Sequence, residues 1–177
     1  MSDTIYIIEG PDGSGKTTLS KLLKEEKNIK SIRHLTYYKE ADKMHEQFLD
    51  AHAIFSMDEE SIIFDRYIFS NIAYGCVFHG CEFVRGWQMW IDSLLTACSI
   101  RKDIHIVFCL PEKKSWLQRF SNLCKEREEM YVDIEKMSKV YDMFEMMYLL
   151  ICNNPYIKIT LIDPFVMDKE STLELLA

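Results

Sequence analysis

The segment EGPDGSGKTT, at residues 9–18, limits the fold of this chain more than any other feature of its sequence. It follows a short apolar run and precedes a stretch with leucines at helical spacing. From Gly10 to Thr17 it satisfies the pattern G-x-x-x-x-G-K-S/T, which requires a strand before it and a helix after it. The segment therefore predicts a phosphate-binding loop within an α/β domain.

A loop of this kind holds a nucleoside triphosphate mainly through its backbone. Glycines let successive N–H groups point inward at the phosphates, and the following helix directs the positive end of its dipole to the same place. Lys16 would bridge the β- and γ-phosphates of ATP, and Thr17 would offer its hydroxyl to Mg²⁺. The predicted nucleotide-binding residues are Gly10, Pro11, Asp12, Gly13, Ser14, Gly15, Lys16, Thr17 and Thr18.

Hydrophobic patterning predicts five strands separated by helices. Most of the β-rich runs are nearly continuous apolar stretches, which is typical of parallel strands covered on both faces. The alternation predicts one α/β domain over 1–177, with helices on both faces of a parallel sheet and ligands at the carboxyl ends of its strands. The predicted strands lie at 4–9, 30–36, 61–65, 103–110 and 156–162, and the predicted helices at 15–27, 40–57, 82–99, 112–124 and 132–152.

Charge and composition exclude several classes of partner. The formal net charge of −7 argues against binding a nucleic-acid polymer, which requires a broad face of Lys and Arg. No stretch approaches the roughly 18 apolar residues of a membrane-spanning helix, and no signal peptide is evident, so we expect a cytoplasmic protein without membrane contact. The irregularly spaced cysteines favour reduced thiols over disulfides or zinc.

A second motif, Asp65-Arg66, follows the third predicted strand and so lies at the same edge of the sheet as the loop. Asp65 can hold Mg²⁺ beside Thr17, and Arg66 can fork onto an acceptor phosphate. The alternative is a helix start, with Asp65 as the cap and Arg66 as a surface charge. Common GTPases read the base with an N-K-x-D motif, and no such motif stands at a suitable position in this sequence. A compact small-molecule kinase therefore fits the sequence best.

Three parts of the sequence resemble the thymidylate kinases, in the right order over most of the chain. The loop EGPDGSGKTT is similar to that family's loop, which commonly has an acidic residue at the position of Asp12. The segment DRYIFSNIAY resembles the family's D-R-Y/H/F followed by S-x-x-A-Y, which contains Ser70 and Tyr74. Residues 109–112, followed by Arg119 and Arg127, resemble its strand-to-lid passage, although only the first two motifs are specific.

The resemblance implies a three-layer P-loop kinase fold and ATP- and Mg²⁺-dependent phosphoryl transfer to a deoxynucleoside monophosphate of the dTMP type. It implies that Asp12 faces the sugar 3′-hydroxyl and that Arg66 binds the acceptor phosphate. The family takes a catalytic arginine from the loop or from a lid. Because Gly13 follows Asp12, we expect it from a helical lid at about 119–131, as Arg119 or Arg127.

The acceptor side departs from the family pattern. Gly75 follows Tyr74 where a glutamine commonly helps to read the thymine, which leaves the base open. Phe48 either stacks on the acceptor base or packs in the core, and His52 stands where an arginine is expected. Arg127, in a mixed charge run, is equally compatible with a solvated helix face.

Two other functions stay open from the sequence. One is a deoxynucleoside kinase, which needs a carboxylate base for the 5′-hydroxyl proton. The other is a regulator that binds nucleotide without turnover. Helices of this family often pair, so both a homodimer through the segment around Trp87 and Trp90 and packing within one chain stay open.

Overall fold

The computed structural model describes residues 4–35, 41–55, 61–80, 87–100, 103–126 and 133–176. Within them, five parallel strands form one sheet in the order β2-β3-β1-β4-β5. The five predicted strands are confirmed, each within a few residues of its expected ends. The strands are β1 (Ile5–Glu9), β2 (Ser31–His34), β3 (Ile62–Asp65), β4 (Ile104–Cys109) and β5 (Lys158–Ile162).

Helices connect and cover the strands. The five predicted helices are present, and two further ones, α3 and α7, were not predicted. Because α3 is apolar almost all round and its first half is buried, it lacks the one-sided periodicity that marks an amphipathic helix. The helices are α1 (Lys16–Glu26), α2 (Ala41–Phe55), α3 (Ile68–His79), α4 (Trp87–Ile100), α5 (Lys113–Glu126), α6 (Ile134–Ile151) and α7 (Lys169–Leu175).

The sheet has a hydrophobic core on each face, because side chains alternate along a strand. Ile5 and Ile7 of β1 face a large cluster that includes residues of α2 to α6. Tyr6 and Ile8 face a smaller cluster with residues of α1 and α7. The predicted three-layer α/β fold is therefore confirmed.

Strand register sets the position of the site. Ile8 pairs with Asp65 across β1 and β3, and His34 pairs with Asp65 across β2 and β3. The phosphate loop leaves β1 at Glu9, so it emerges beside the Asp65-Arg66 motif. This is the carboxyl edge, where open parallel sheets bind their ligands.

Several sequence predictions concern segments at the boundary of the described residues. Arg119 lies within α5, which continues to Glu126, and the rest of the predicted lid, at 127–131, lies outside the described residues. Trp87 and Trp90 are buried within the chain, where their rings contact Phe48. In the described ranges no helix combines the length and the apolar character needed to cross a bilayer.

Candidate active site

The phosphate loop adopts backbone conformations that only glycine takes readily. Gly10 and Gly15 have φ angles of 145° and 91°, and a Cβ at Gly10 would overlap the carbonyl oxygen of Cys109. Gly15 is the N-cap of α1, and the described residues supply no side-chain cap to that helix start. The first N–H groups of α1 are therefore directed at the space where an anion would bind.

Lys16 is buried at the base of this loop. Its Nζ donates to the carbonyl oxygen of Pro11 at 2.7 Å. Burial lowers the pKa of Lys16, and the nearby Arg66 lowers it further, whereas Asp12 opposes the change. A buried ammonium group that donates to a neutral carbonyl can instead donate to the charged oxygens of a phosphate.

A polar cluster near Lys16 consists of Thr17, Asp65 and His34. The Thr17 hydroxyl donates to Asp65 Oδ2 at 3.4 Å, and His34 Nδ1 lies 3.0 Å from the same oxygen. Asp65 Oδ1 is buried and has no hydrogen-bond partner among the described residues. A hydroxyl beside a carboxylate with an unused oxygen fits Mg²⁺, which takes one or two protein oxygens together with phosphate and water.

Asp12 is held from three directions by residues of other elements. Its N–H donates to the Tyr74 hydroxyl at 3.0 Å, and its carbonyl accepts the indole N–H of Trp116 at 2.8 Å. Its carboxylate pairs with the Arg66 guanidinium. Burial disfavours the charged form of Arg66, but the charges of Asp12 and nearby groups outweigh it, so the pKa of Arg66 is raised. The tip of the loop is thus tied to α3 and α5.

These residues line one cleft of about 1090 Å³. Phosphate-loop residues with His34 and Asp65 form part of its lining, and the Arg66 guanidinium lies over the ring of Tyr74. The rest of the lining consists of Phe78, Phe120, Leu123, Cys124, Asp133, Lys136, Met137 and Phe165. Cationic and phosphate-binding groups therefore share a space with apolar and aromatic walls.

Most of the predicted site residues come together here. Asp12, Gly13, Ser14, Gly15, Lys16, Thr17, Thr18, Asp65, Arg66 and Tyr74 all line the cleft. Gly10 and Pro11 lie buried directly beneath it.

Four other predicted site residues lie elsewhere or cannot be placed. Phe48 is fully buried, with its ring against Tyr67, Trp87 and Trp90, and Ser70 is buried with its hydroxyl on Glu9. The Arg119 guanidinium lies over the Phe165 ring, 4.1 Å from its centroid. Arg127 lies outside the described residues.

The cleft also contains residues that sequence reasoning missed. Phe78 lies one turn after Tyr74 on α3, and the two rings are nearly parallel, with centroids 6.2 Å apart. Lys136 Nζ lies 5.4 Å from the centroid of the Phe78 ring. Recognition of α3 would have pointed to Phe78 through its four-residue spacing from Tyr74. No local signal marks Trp116 or Lys136.

Comparison with known proteins defines the fold class. No protein-family model and no curated protein matches this chain. Among solved structures, Bacillus subtilis YorR in complex with phosphorylated GDP aligns with a TM-score of 0.67 at 16% identity, covering 98% of this chain and 93% of YorR. Deoxyadenosine kinase from M. mycoides with bound dCTP gives 0.60 at 18% identity, covering 98% of this chain and 96% of that kinase. The chain therefore has the α/β fold of P-loop kinases, and identities this low carry no further conclusion.

Proposed function

We propose that this protein transfers the γ-phosphoryl group of ATP to a deoxynucleoside monophosphate, giving the diphosphate. One observation carries the proposal: the guanidinium of Arg66 lies in the same cleft as the phosphate loop, beside Asp12 at its tip. A loop alone serves many chemistries, whereas a second phosphate-binding cation beside it supports a second, phosphorylated substrate.

The donor half consists of the loop, Lys16 and the start of α1. Bound phosphates would draw Lys16 Nζ from the Pro11 carbonyl, since a charged oxygen is the stronger acceptor. Thr17 and Asp65 would hold Mg²⁺, and the bound ion would neutralise negative charge on the phosphates. Lys16 and the N–H groups of the loop would stabilise the negative charge that spreads over the transferred group.

The acceptor half consists of Arg66, Asp12 and Tyr74. In the proposed reaction an oxygen of the acceptor phosphate forms a bond to the γ-phosphorus, and the bond from that phosphorus to the bridging oxygen of ADP breaks. Arg66 would exchange its carboxylate partner for the acceptor phosphate, which leaves Asp12 to contact the sugar hydroxyl. The attacking oxygen is already anionic, so this acceptor needs no strong base.

The proposed reaction also uses an arginine from α5 or from the segment after it. Arg119 and Arg127 are the candidates for the cation that closes over the phosphates. Arg119 lies on Phe165, which lines the cleft, so a small movement of α5 would bring its guanidinium toward the donor nucleotide. The dTMP-type acceptor rests on the sequence resemblance.

A deoxynucleoside kinase is the second candidate, and the fold shared with the M. mycoides deoxyadenosine kinase favours it. Such an enzyme needs a carboxylate free to take the 5′-hydroxyl proton. Among the described residues of the cleft, the carboxylates are Asp12, Asp65 and Asp133. Asp12 pairs with Arg66, Asp133 caps α6, and the unpartnered oxygen of Asp65 is the one that we assign to Mg²⁺. That observation favours the monophosphate.

An ADP-release assay with ATP and Mg²⁺ tests the proposal. The four deoxynucleoside monophosphates are compared as acceptors, followed by the four deoxynucleosides. We expect turnover with at least one monophosphate; turnover with nucleosides alone would assign the second candidate. Nucleotide binding without ADP release from any acceptor would indicate a regulator.

Arg66→Ala and Arg33→Ala form a matched pair for this assay. Arg33 is exposed on β2 and borders a separate groove outside the cleft. We expect Arg66→Ala to lower kcat/KM for the acceptor at least a hundredfold and Arg33→Ala to leave it within a factor of about two. Equal rates in the two variants would contradict the role of Arg66.

A further inference from the structure

The carboxylate of Glu9 is fully buried at the junction between the phosphate loop and α3. Glu9 is the last residue of β1 and directly precedes Gly10. Its Oε1 accepts the backbone N–H groups of Tyr67 at 2.8 Å and Phe69 at 3.0 Å. Its Oε2 accepts the Ser70 N–H at 3.2 Å and also the Ser70 hydroxyl. One carboxylate thus receives four hydrogen bonds from the start of one helix.

Three of these donors are backbone N–H groups that a helix start leaves without an intrahelical partner. Tyr67 is the N-cap of α3, and its side chain makes no capping hydrogen bond in the part of the chain that the structure describes. Glu9 supplies the cap from another element, with its oxygens at the positive end of the helix dipole. The cap therefore joins the end of β1, where the phosphate loop begins, to the helix that follows Arg66.

Two backbone hydrogen bonds at this junction, one from Arg66 and one from the next residue, hold Arg66 in place. Its own N–H donates to the carbonyl oxygen of Ile8 at 2.9 Å, and the N–H of the next residue, Tyr67, donates to Glu9. The φ angle of Arg66 is 76°, in the left-handed region that residues with a Cβ rarely adopt. Such a conformation persists only where the surrounding structure holds it.

The side chain of Arg66 extends from this strained backbone to the tip of the loop, where it pairs with Asp12. A relaxed φ angle would turn the guanidinium away from the cleft. We propose that Glu9 is a positioning residue: together with Ser70 it holds Arg66 so that the guanidinium faces the phosphate loop. This inference rests on the proposed function, because it assigns Arg66 the acceptor phosphate.

Glu9→Gln and Ser70→Ala test the inference. The glutamine presents an NH₂ group where two donors now meet the carboxylate, and the alanine removes one of the four hydrogen bonds. We expect Glu9→Gln to raise the KM for the acceptor at least tenfold and Ser70→Ala about threefold. The affinity for ATP, measured by calorimetry, should change less than threefold in both variants.

Thr172→Val is the matched control, because it removes a buried hydroxyl that donates to a backbone carbonyl in α7, away from the cleft. Its acceptor KM should stay at the wild-type value. If Glu9→Gln does not fold, the comparison of Ser70→Ala with Thr172→Val decides the inference. An unchanged acceptor KM in the folded variants would overturn it, as would equal losses of ATP and acceptor binding.

A second measurement separates this inference from the proposed function. The side-chain Nε–H resonance of Arg66, assigned with Arg66→Lys, reports the ion pair with Asp12 without any turnover. We expect it to shift toward the position of a solvated arginine in Glu9→Gln and Ser70→Ala but not in Thr172→Val. If wild-type protein phosphorylates no acceptor, the proposed function fails, and the resonance alone then supports or overturns the positioning role.

Discussion

Gly15, like Gly10, is a position of the phosphate loop with no room for a side chain. Its φ angle is 91°, and a Cβ there would lie 2.8 Å from Cβ of Pro164, in the segment after β5. Two separate penalties therefore act on any other residue: the left-handed backbone and the collision. Gly80, at the end of α3, has φ and ψ angles of 86° and 160°, a region almost confined to glycine, but a Cβ there would meet no atom of the described residues within 4 Å, so it carries a backbone penalty alone.

Gly15→Ala and Gly80→Ala separate these penalties. We expect Gly80→Ala to lower the free energy of unfolding by about 1–3 kcal/mol, the backbone cost alone. Gly15→Ala should lose a further ~1–3 kcal/mol, because Pro164 must move. Denaturant unfolding measures both, and equal losses would show that Pro164 yields at no cost.

Single residues also show the limit of pattern reasoning. Phe48 and Ser70 match positions of a substrate site in the linear sequence, yet the structure surrounds Phe48 with aromatic rings and directs the Ser70 hydroxyl to Glu9. Helical spacing identifies an apolar face but does not say what covers it. Asp12 and Arg66 do line the cleft, and the roles assigned to them stay predictions.

Among the secondary-structure elements, α5 is joined to the phosphate loop through Trp116. Its indole N–H donates to the Asp12 carbonyl, and its ring packs against Phe120 and Tyr141. Since α5 also contains Arg119, one helix contains both this arginine and the residue that contacts the tip of the loop.

Trp116→Phe keeps most of this packing and removes the hydrogen bond. We expect a loss of about 1 kcal/mol in the free energy of unfolding and a rise of threefold or more in the acceptor KM, because Asp12 loses one of its anchors. Trp90→Phe, in the core away from the cleft, should cost stability without changing the KM. A shift in KM of the same size in both variants would contradict the role of Trp116.

The burial of the Glu9 carboxyl group predicts a pH dependence of stability. Burial raises the pKa of Glu9 to about 7, although the hydrogen bonds from Ser70 and Tyr67 and the charge of Lys16 lower it. The folded state therefore binds a proton that the unfolded state has released between about pH 4.5 and 7. The stabilising contribution is complete below that window and is lost as the pH rises through it.

Urea unfolding at a series of pH values measures this effect. The difference in unfolding free energy between wild type and Glu9→Gln should fall by up to about 1.4 kcal/mol per pH unit across the window. Glu112 is a control with the opposite pH dependence. Hydrogen bonds from Ser115 and Lys114 lower its pKa, so its contribution to the free energy of unfolding is lost as the pH falls. A flat difference for Glu9→Gln would show that the pKa of Glu9 is not raised.

For the whole molecule, the cleft depends on strands and helices from most of the chain. Its lining includes residues at or just after the ends of β1, β2, β3 and β5 together with residues of α3, α5 and α6. A ligand that binds there stabilises the entire fold, because the unfolded chain has no such site.

Thermal unfolding with ATP and Mg²⁺ tests this linkage. At a hundred times the dissociation constant we expect a gain of about 2.7 kcal/mol, or about 5–10 °C in Tm. Lys16→Met should remove most of the gain, whereas Lys21→Met, an exposed residue of the same helix, should keep it. An equal gain in the two variants would contradict phosphate binding by Lys16.

Local properties of the chain were enough to locate its strands, most helices and the phosphate loop, because apolar runs and glycine spacing act within a few residues. The same properties predicted that Asp65 and Arg66 lie near the loop, since the carboxyl ends of parallel strands share an edge. The helix α3 was not predicted from the sequence because its apolar side chains point in all directions.

The tertiary structure alone decided which distant groups meet. The strand order sets Asp65 beside both Ile8 and His34, and packing brings Trp116 to Asp12 and the start of α3 to Glu9. Each of these contacts joins residues far apart in the chain, and their formation depends on how whole elements pack. A glutamate before a phosphate loop has no pattern that marks it as a cap for a helix more than fifty residues later.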